Sequence, residues 1–199
     1  TRSFLKTEVI TSAEFPGLPR PVGYFNYYTF NATMLSDIEQ AMATFKTAGI
    51  KELILDLRYN GGGDGEATAL LSNYIAPSTA EGKIVARREH NDKYSKYDSE
   101  ESTITRVKRL AGSLNLDKLF ILGSKGTASA SEVIINGFKP LMTVVQVGST
   151  TYGKPNGMYV LPYPAENYTS PDYVFLPICF FSVNSLGEGH YVDGIAPDQ

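Results

Sequence analysis

Apolar residues recur along this chain at two alternating periods. At Leu35, Ile38, Ala41, Met42 and Phe45 they fall three or four apart, which predicts a helix with one buried face. Gly49 follows as its C-terminal stop. Leu53-Ile54-Leu55-Asp56-Leu57 is instead a short continuous apolar run, the pattern of a strand buried on both faces of a parallel sheet. A second helical stripe runs through Ala67, Leu70, Leu71 and Tyr74, and residues 83–88 read as the next strand. The cycle repeats with a strand at Lys118-Leu119-Phe120-Ile121-Leu122, a helix to about Phe138 and a strand over 143–147.

The flanks read differently. Residues 1–22 carry a β-like stretch around Val9 and Ile10, then Pro16, Pro19 and Pro21. They are set apart as an extended N-terminal arm, a remnant of a linker from an upstream module. Residues 23–199 are taken as one core domain that opens with an aromatic-rich strand over 23–30. Residues 90–103, dense in Asn, Asp, Lys, Ser and Glu, read as a solvated excursion. Strands over 158–161 and 173–183 close the chain. The alternation predicts an α/β fold of βαβ units, with functional loops at the carboxyl ends of the strands.

Composition narrows the partners. A length of 199 residues suits one domain with a substantial core. A formal net charge of −3 argues against nucleic acid as the main partner. No apolar run approaches the roughly 18 residues of a membrane span. Cys179 is the only cysteine, which excludes an intrachain disulfide and a cysteine-based metal site; its neighbours Pro177, Ile178, Phe180 and Phe181 predict a buried, inert thiol. Thr1 is not a natural start, so the chain reads as a mature or trimmed piece. Asn31-Ala32-Thr33 and Asn167-Tyr168-Thr169 fit the glycosylation sequon, a short pattern frequent by chance.

The stretch that invites a chemical reading is Gly126-Thr127-Ala128-Ser129-Ala130-Ser131-Glu132. A small-residue turn between a strand and a helix places a serine hydroxyl where free N–H groups and the helix dipole favour developing negative charge. A Ser-His-Asp triad needs a histidine, and His90 and His190 both fall in polar loops that suit surface roles. The other established activator is a lysine kept neutral by burial. Lys154 is placed for this, 25 residues after Ser129 and beyond the strand that returns to the same sheet edge. Each feature also has a plain structural reading: Ser129-x-x-Glu132 is a capping box, and a lysine in a Gly-rich loop is commonly a solvated charge. Gly61-Gly62-Gly63-Asp64-Gly65-Glu66 completes no nucleotide-binding fingerprint. It is left as a tight turn or a source of backbone N–H groups for a substrate carbonyl.

Leu55-Asp56-Leu57-Arg58-Tyr59-Asn60-Gly61-Gly62-Gly63, the serine stretch, Thr151-Tyr152-Gly153-Lys154 and the closing Gly194-Ile195-Ala196-Pro197-Asp198 occur in this order. Together they resemble the carboxyl-terminal processing (tail-specific) protease family of serine peptidases, over nearly the whole chain. The resemblance implies a crotonase/ClpP-like core and endopeptidase activity through a Ser-Lys dyad without metal or cofactor. By motif position it implies Ser129 as nucleophile, Lys154 as general base and Glu132 as the residue that supports them. Ala130 and Gly62 or Gly63 would supply the oxyanion N–H groups, and Ser131 is the fallback nucleophile.

Asp56 and Arg58, at the end of a buried strand, are expected to fix the loop rather than do chemistry. The chain departs from the family where G-K-G-x-x-Q reads Gly153-Lys154-Pro155-Asn156-Gly157-Met158, since Met158 cannot supply the glutamine's hydrogen bonds. Many members also carry a PDZ module, which is not visible in these residues and would lie upstream. The implied partner is a polypeptide, with processing of C-terminal tails of exported proteins and an extracytoplasmic setting. The rival readings are a catalytically silent domain of the same fold binding a peptide or hydrophobic ligand, and acyl-CoA chemistry through the oxyanion hole alone.

Overall fold

The computed structural model describes residues 2–164, 166 and 169–199. The second sequon, Asn167-Tyr168-Thr169, lies partly outside them. Its strands are β1 (Phe4–Ile10), β2 (Val22–Tyr27), β3 (Glu52–Asp56), β4 (Ile84–His90), β5 (Ile104–Arg106), β6 (Lys118–Gly123), β7 (Thr143–Gly148), β8 (Asn156–Met158), β9 (Leu161–Tyr163), β10 (Tyr173–Phe175) and β11 (Ile178–Val183). The helices are α1 (Leu35–Ala48), α2 (Gly65–Ile75) and α3 (Ala130–Phe138).

The central sheet has the order β1-β2-β3-β6-β7, with β2, β3, β6 and β7 parallel and β1 antiparallel at the edge. A second, antiparallel sheet has the order β5-β4-β11-β8, and β9 and β10 form a separate hairpin. This is the α/β architecture that the alternating periods predict. The core stripe of α1 buries Ile38, Ala41, Met42 and Phe45 against the central sheet, and Gly49, at φ 66°, caps the helix in the left-handed region. Leu53 and Leu55 on β3 and Leu119 and Ile121 on β6 are fully buried, as strands covered on both faces require. No helix among the described residues is long and apolar enough to cross a membrane.

Four expectations are corrected. The strand read over 158–161 divides into β8 and β9, and the one read over 173–183 divides into β10 and β11. Pro177, which lacks a ladder donor, stands at the second break. Cys179 is partly exposed rather than buried, and it stands where β11 shifts register against β8, between Ile178 and Phe180. His90 is not a surface residue: its side chain is 4 % exposed. Its Nδ1 lies 2.6 Å from Asp98 Oδ1 and its Nε2 lies 2.7 Å from Tyr159 OH, so the polar excursion folds back over its own histidine.

Candidate active site

The loops after β3, β6 and β7 meet at the carboxyl ends of the parallel strands. Asp56 ends β3 with its carboxylate fully buried. It accepts from Tyr24 OH at 2.7 Å, Asn26 Nδ2 at 3.0 Å, and Arg58 Nε and Nη2 at 2.9 and 2.7 Å. Burial alone would raise its pKa, but the hydrogen bonds from Arg58, Tyr24 and Asn26 outweigh that and hold it below the usual carboxylate range. The pair fixes the start of the glycine loop, as the sequence suggests.

Asn60 carries that order forward. It is fully buried, its Nδ2 donates to Tyr27 O at 3.0 Å, and its Oδ1 accepts from Gly62 N–H at 2.8 Å. Its carbonyl accepts from Ala128 N–H at 3.1 Å and from Ser131 Oγ at 3.0 Å. The glycine loop is therefore stitched directly to the serine turn. Ser131, the fallback nucleophile, is fully buried in this structural bond. Gly62 sits at φ +98°, and a Cβ there would lie 2.7 Å from Ser129 Cβ and 2.9 Å from Ala130 N. Only glycine provides both that conformation and that approach.

Ser129 itself has φ 56° and ψ −117°, a region that costs a non-glycine residue of the order of 1–3 kcal/mol. The turn is held by Thr127, whose Oγ1 donates to Leu57 O at 2.7 Å, and by Glu132 in the first turn of α3. Glu132 is fully buried and accepts four hydrogen bonds. Its Oε2 takes Ser129 N–H at 2.9 Å and Lys154 N–H at 2.8 Å; its Oε1 takes Thr151 Oγ1 at 2.6 Å and Gly153 N–H at 2.7 Å. The return from Glu132 to Ser129 is the capping-box bond, so the structural reading of the motif holds here beside any functional one. Thr151 Oγ1 also accepts from Ile195 N–H at 2.7 Å, which ties the closing segment into the same network. The phenol of Tyr191 is raised in pKa by burial and by the Glu132 charge.

Ser129, Ala130 and Lys154 line a cleft of about 600 Å³ with the glycine loop on one side and β4, β8 and β11 on the other. Gly63 faces the cleft, and neither its N–H nor that of Ala130 has a hydrogen-bond partner among the described residues. The N–H of Gly62 is committed to Asn60, which leaves Gly63 as the available glycine donor. Met158 lines the cleft without polar atoms, whereas Asn156 lines it with a buried Oδ1 that has no partner. His190 is exposed beside Glu89.

The model of Peptidase family S41 matches residues 21–198. The chain belongs to peptidase family S41. It is 28 % identical over 133 residues to carboxyl-terminal-processing peptidase 2, chloroplastic, of Arabidopsis thaliana, covering 67 % of this chain and 24 % of the relative. To carboxy-terminal processing protease CtpB of Bacillus subtilis it is 25 % identical over 162 residues, covering 81 % and 31 % respectively. The solved structure of a putative S41 protease from Bacteroides fragilis shares the fold at a TM-score of 0.82 and 24 % identity, over 98 % of this chain and half of that one. The chain thus spans about a quarter to a third of the length of these curated relatives.

Within this S41 chain, the motif residues Ser129, Glu132 and Lys154 come together as their order in the sequence implies. Asn60 and Thr151 were not singled out by sequence, although both lie inside the quoted motifs. An Asn ahead of a glycine run and a Thr ahead of Gly-Lys are the signals that were available. The cluster of His90, Asp98, Tyr159 and Arg88 left no such trace, since its members come from three separate segments.

Proposed function

We propose that this chain is the catalytic core of a serine endopeptidase that hydrolyses peptide bonds in polypeptides through Ser129 and Lys154. The observation that carries the reading is the shared carboxylate. One oxygen of buried Glu132 holds the backbone N–H groups of both residues, which fixes the serine turn and the lysine loop against each other at the mouth of one cleft.

In this mechanism neutral Lys154 Nζ takes the Ser129 Oγ proton as Oγ attacks the scissile carbonyl carbon. The tetrahedral oxyanion faces the N–H groups of Ala130 and Gly63, each such donor supplying about 3–4 kcal/mol in comparable sites. The protonated lysine then gives its proton to the departing amine. Water, deprotonated by the same lysine, attacks the acyl-enzyme ester and releases the new carboxyl terminus and the Ser129 hydroxyl. Asn156 Oδ1 is a buried acceptor two residues beyond Lys154 that bonds no described group in this structure; we assign it to receive the lysine amine when that side chain turns toward it, in place of the glutamine missing at Met158. Glu132 is a positioning residue, because all of its bonds go to backbone N–H groups and to Thr151.

We further propose a setting outside the cytoplasm and exported proteins as substrates, which the likeness to a chloroplastic peptidase and to bacterial processing proteases supports, with tail selection assigned to an upstream PDZ-like module. The decisive experiment compares the parent chain with Ser129→Ala and Lys154→Ala on an unfolded protein across pH. Hydrolysis that rises with pH and is abolished by both substitutions supports the reading. Hydrolysis unchanged in Ser129→Ala overturns it. Stoichiometric binding of a hydrophobic ligand without any hydrolysis by the parent would favour the silent-domain alternative.

A further inference from the structure

Arg88 is a charge in the cleft that this hydrolysis does not use. It stands on β4 opposite Ser182 of β11, and both residues line the cleft. Its guanidinium carbon lies 4.9 Å from the Phe180 ring centroid and 5.3 Å from that of Tyr159. Those rings pack against each other at 5.5 Å with a 54° tilt, so the cation rests beside the pair, in contact range of both aromatic surfaces.

The aromatic seat is itself braced. Arg88 Nη1 approaches Tyr159 OH at 3.4 Å, Tyr159 OH lies 2.7 Å from His90 Nε2, and His90 Nδ1 lies 2.6 Å from Asp98 Oδ1. The one carboxylate in this chain of contacts is engaged by the histidine and by the His90 backbone N–H. Arg88 forms no ion pair among the described residues and uses one long contact out of five possible donors. Apart from Lys154, which the mechanism uses as a free base, the cleft lining otherwise carries Arg87 as a cation, against the single carboxylate of Asp64. Asp64 is itself engaged by the N–H of Ala32 at 2.8 Å. In a chain of net charge −3, the groove beside the serine is thus locally positive.

A fixed guanidinium with unused, forked donors is a receptor for a carboxylate. We propose that Arg88 is a specificity-determining residue of the cleft, pairing with a carboxylate of the bound polypeptide, either an acidic side chain or the free C-terminus. The proposal rests on the endopeptidase reading for its substrate class.

The test uses a neutral, amidated peptide that the parent cleaves, variants in which one Glu is scanned along it, and the same neutral peptide with a free C-terminal carboxylate. kcat/KM is measured at low and high salt for the parent, Arg88→Met and Arg88→Lys. At low salt the parent is expected to favour at least one carboxylate peptide about tenfold or more over the neutral one, the scale of one charge-assisted pair. Arg88→Met removes that ratio, and Arg88→Lys restores part of it. A Glu position or the free terminus identifies the source.

Equal losses for all peptides in Arg88→Met, or an unchanged ratio, overturn the proposal. Fluorescence anisotropy of the same peptides on Ser129→Ala separates the two readings. Binding preference lost with Arg88→Met supports the carboxylate subsite even if the parent hydrolyses nothing. Hydrolysis without any carboxylate preference sinks the subsite and leaves the endopeptidase standing.

Discussion

Gly62 lies so close to Ser129 that a Cβ added to it would come within 2.7 Å of the serine's own Cβ. The same atom would meet Ala128 O at 2.8 Å and Ala130 N at 2.9 Å, which are backbone and cannot swing aside. Gly62→Ala therefore pushes the serine turn away from the glycine loop and adds the cost of φ +98° for an L-residue. A stability loss of about 2–4 kcal/mol by chemical denaturation is expected. Hydrolysis should fall by at least about a hundredfold, because displacement of the reacting groups by about 1 Å costs that much. Near-parental hydrolysis in a folded Gly62→Ala would show that the turn's geometry does not matter.

Glu132→Gln tests whether one carboxylate orders both halves of the site. The amide keeps the size but retains one acceptor oxygen, and its NH₂ must confront N–H groups that now donate to a carboxylate. Leaving two buried donors unpaired costs about 1–3 kcal/mol each. The variant is expected to lose about 2–5 kcal/mol of stability and most of its kcat, with a smaller change in KM. Thr151→Val removes only the 2.6 Å hydroxyl bond to Glu132 and the acceptor for Ile195 N–H. It should show a milder version of the same pattern. A Glu132→Gln chain that matched the parent in both measurements would remove Glu132 from the site.

Much of this arrangement was legible in the sequence because it is local. The period of three to four residues at Leu35–Phe45, the unbroken run at Leu53–Leu57 and the serine turn each declare themselves within a dozen residues. Their order alone brings the serine and lysine loops to one sheet edge. What was not legible is mostly non-local or competitive. That Gly62 N–H is taken by Asn60, leaving Gly63, depends on a side chain two residues upstream that sequence does not orient. His90 reads as a surface residue because its stretch is polar. Its burial comes from Asp98 and Tyr159, eight and 69 residues away. Cys179 reads as buried from its apolar neighbours, but it is partly exposed at a register shift in β11, which the local sequence does not announce.

Asn156→Ala probes how Lys154 is held. Asn156 Oδ1 is buried with no partner in a cleft it shares with Lys154, and removing it relieves an unpaired acceptor. Stability should therefore change by less than about 1 kcal/mol, or rise. If Asn156 orients the lysine amine, kcat falls about tenfold to a hundredfold, KM stays within about twofold, and the pH profile of kcat shifts. Met158→Gln in that background is expected to recover part of the rate. A purely structural Asn156 would leave the pH profile where it was.

Acid stability reports the Asp56 network. The carboxyl's pKa is lowered in the folded chain from an unfolded value of 3.8, so the folded state binds its proton less readily than the unfolded one. Its contribution is therefore fully present above the unfolded value and disappears as pH falls through the lower, folded value. Asp56→Asn cannot titrate and leaves Arg58 without its partner, so at pH 7 it should unfold at a lower temperature than the parent. A loss of about 2–4 kcal/mol is expected, less than for a pair buried on both sides because the Arg58 side chain is 45 % exposed. Thermal unfolding of both chains from pH 7 to pH 2.5 gives the answer. The gap between their midpoints should hold constant down to about pH 4 and narrow below it, as the parent's carboxylate is protonated. A gap that stays constant to pH 2.5 would mean that the Asp56 charge contributes nothing to the difference.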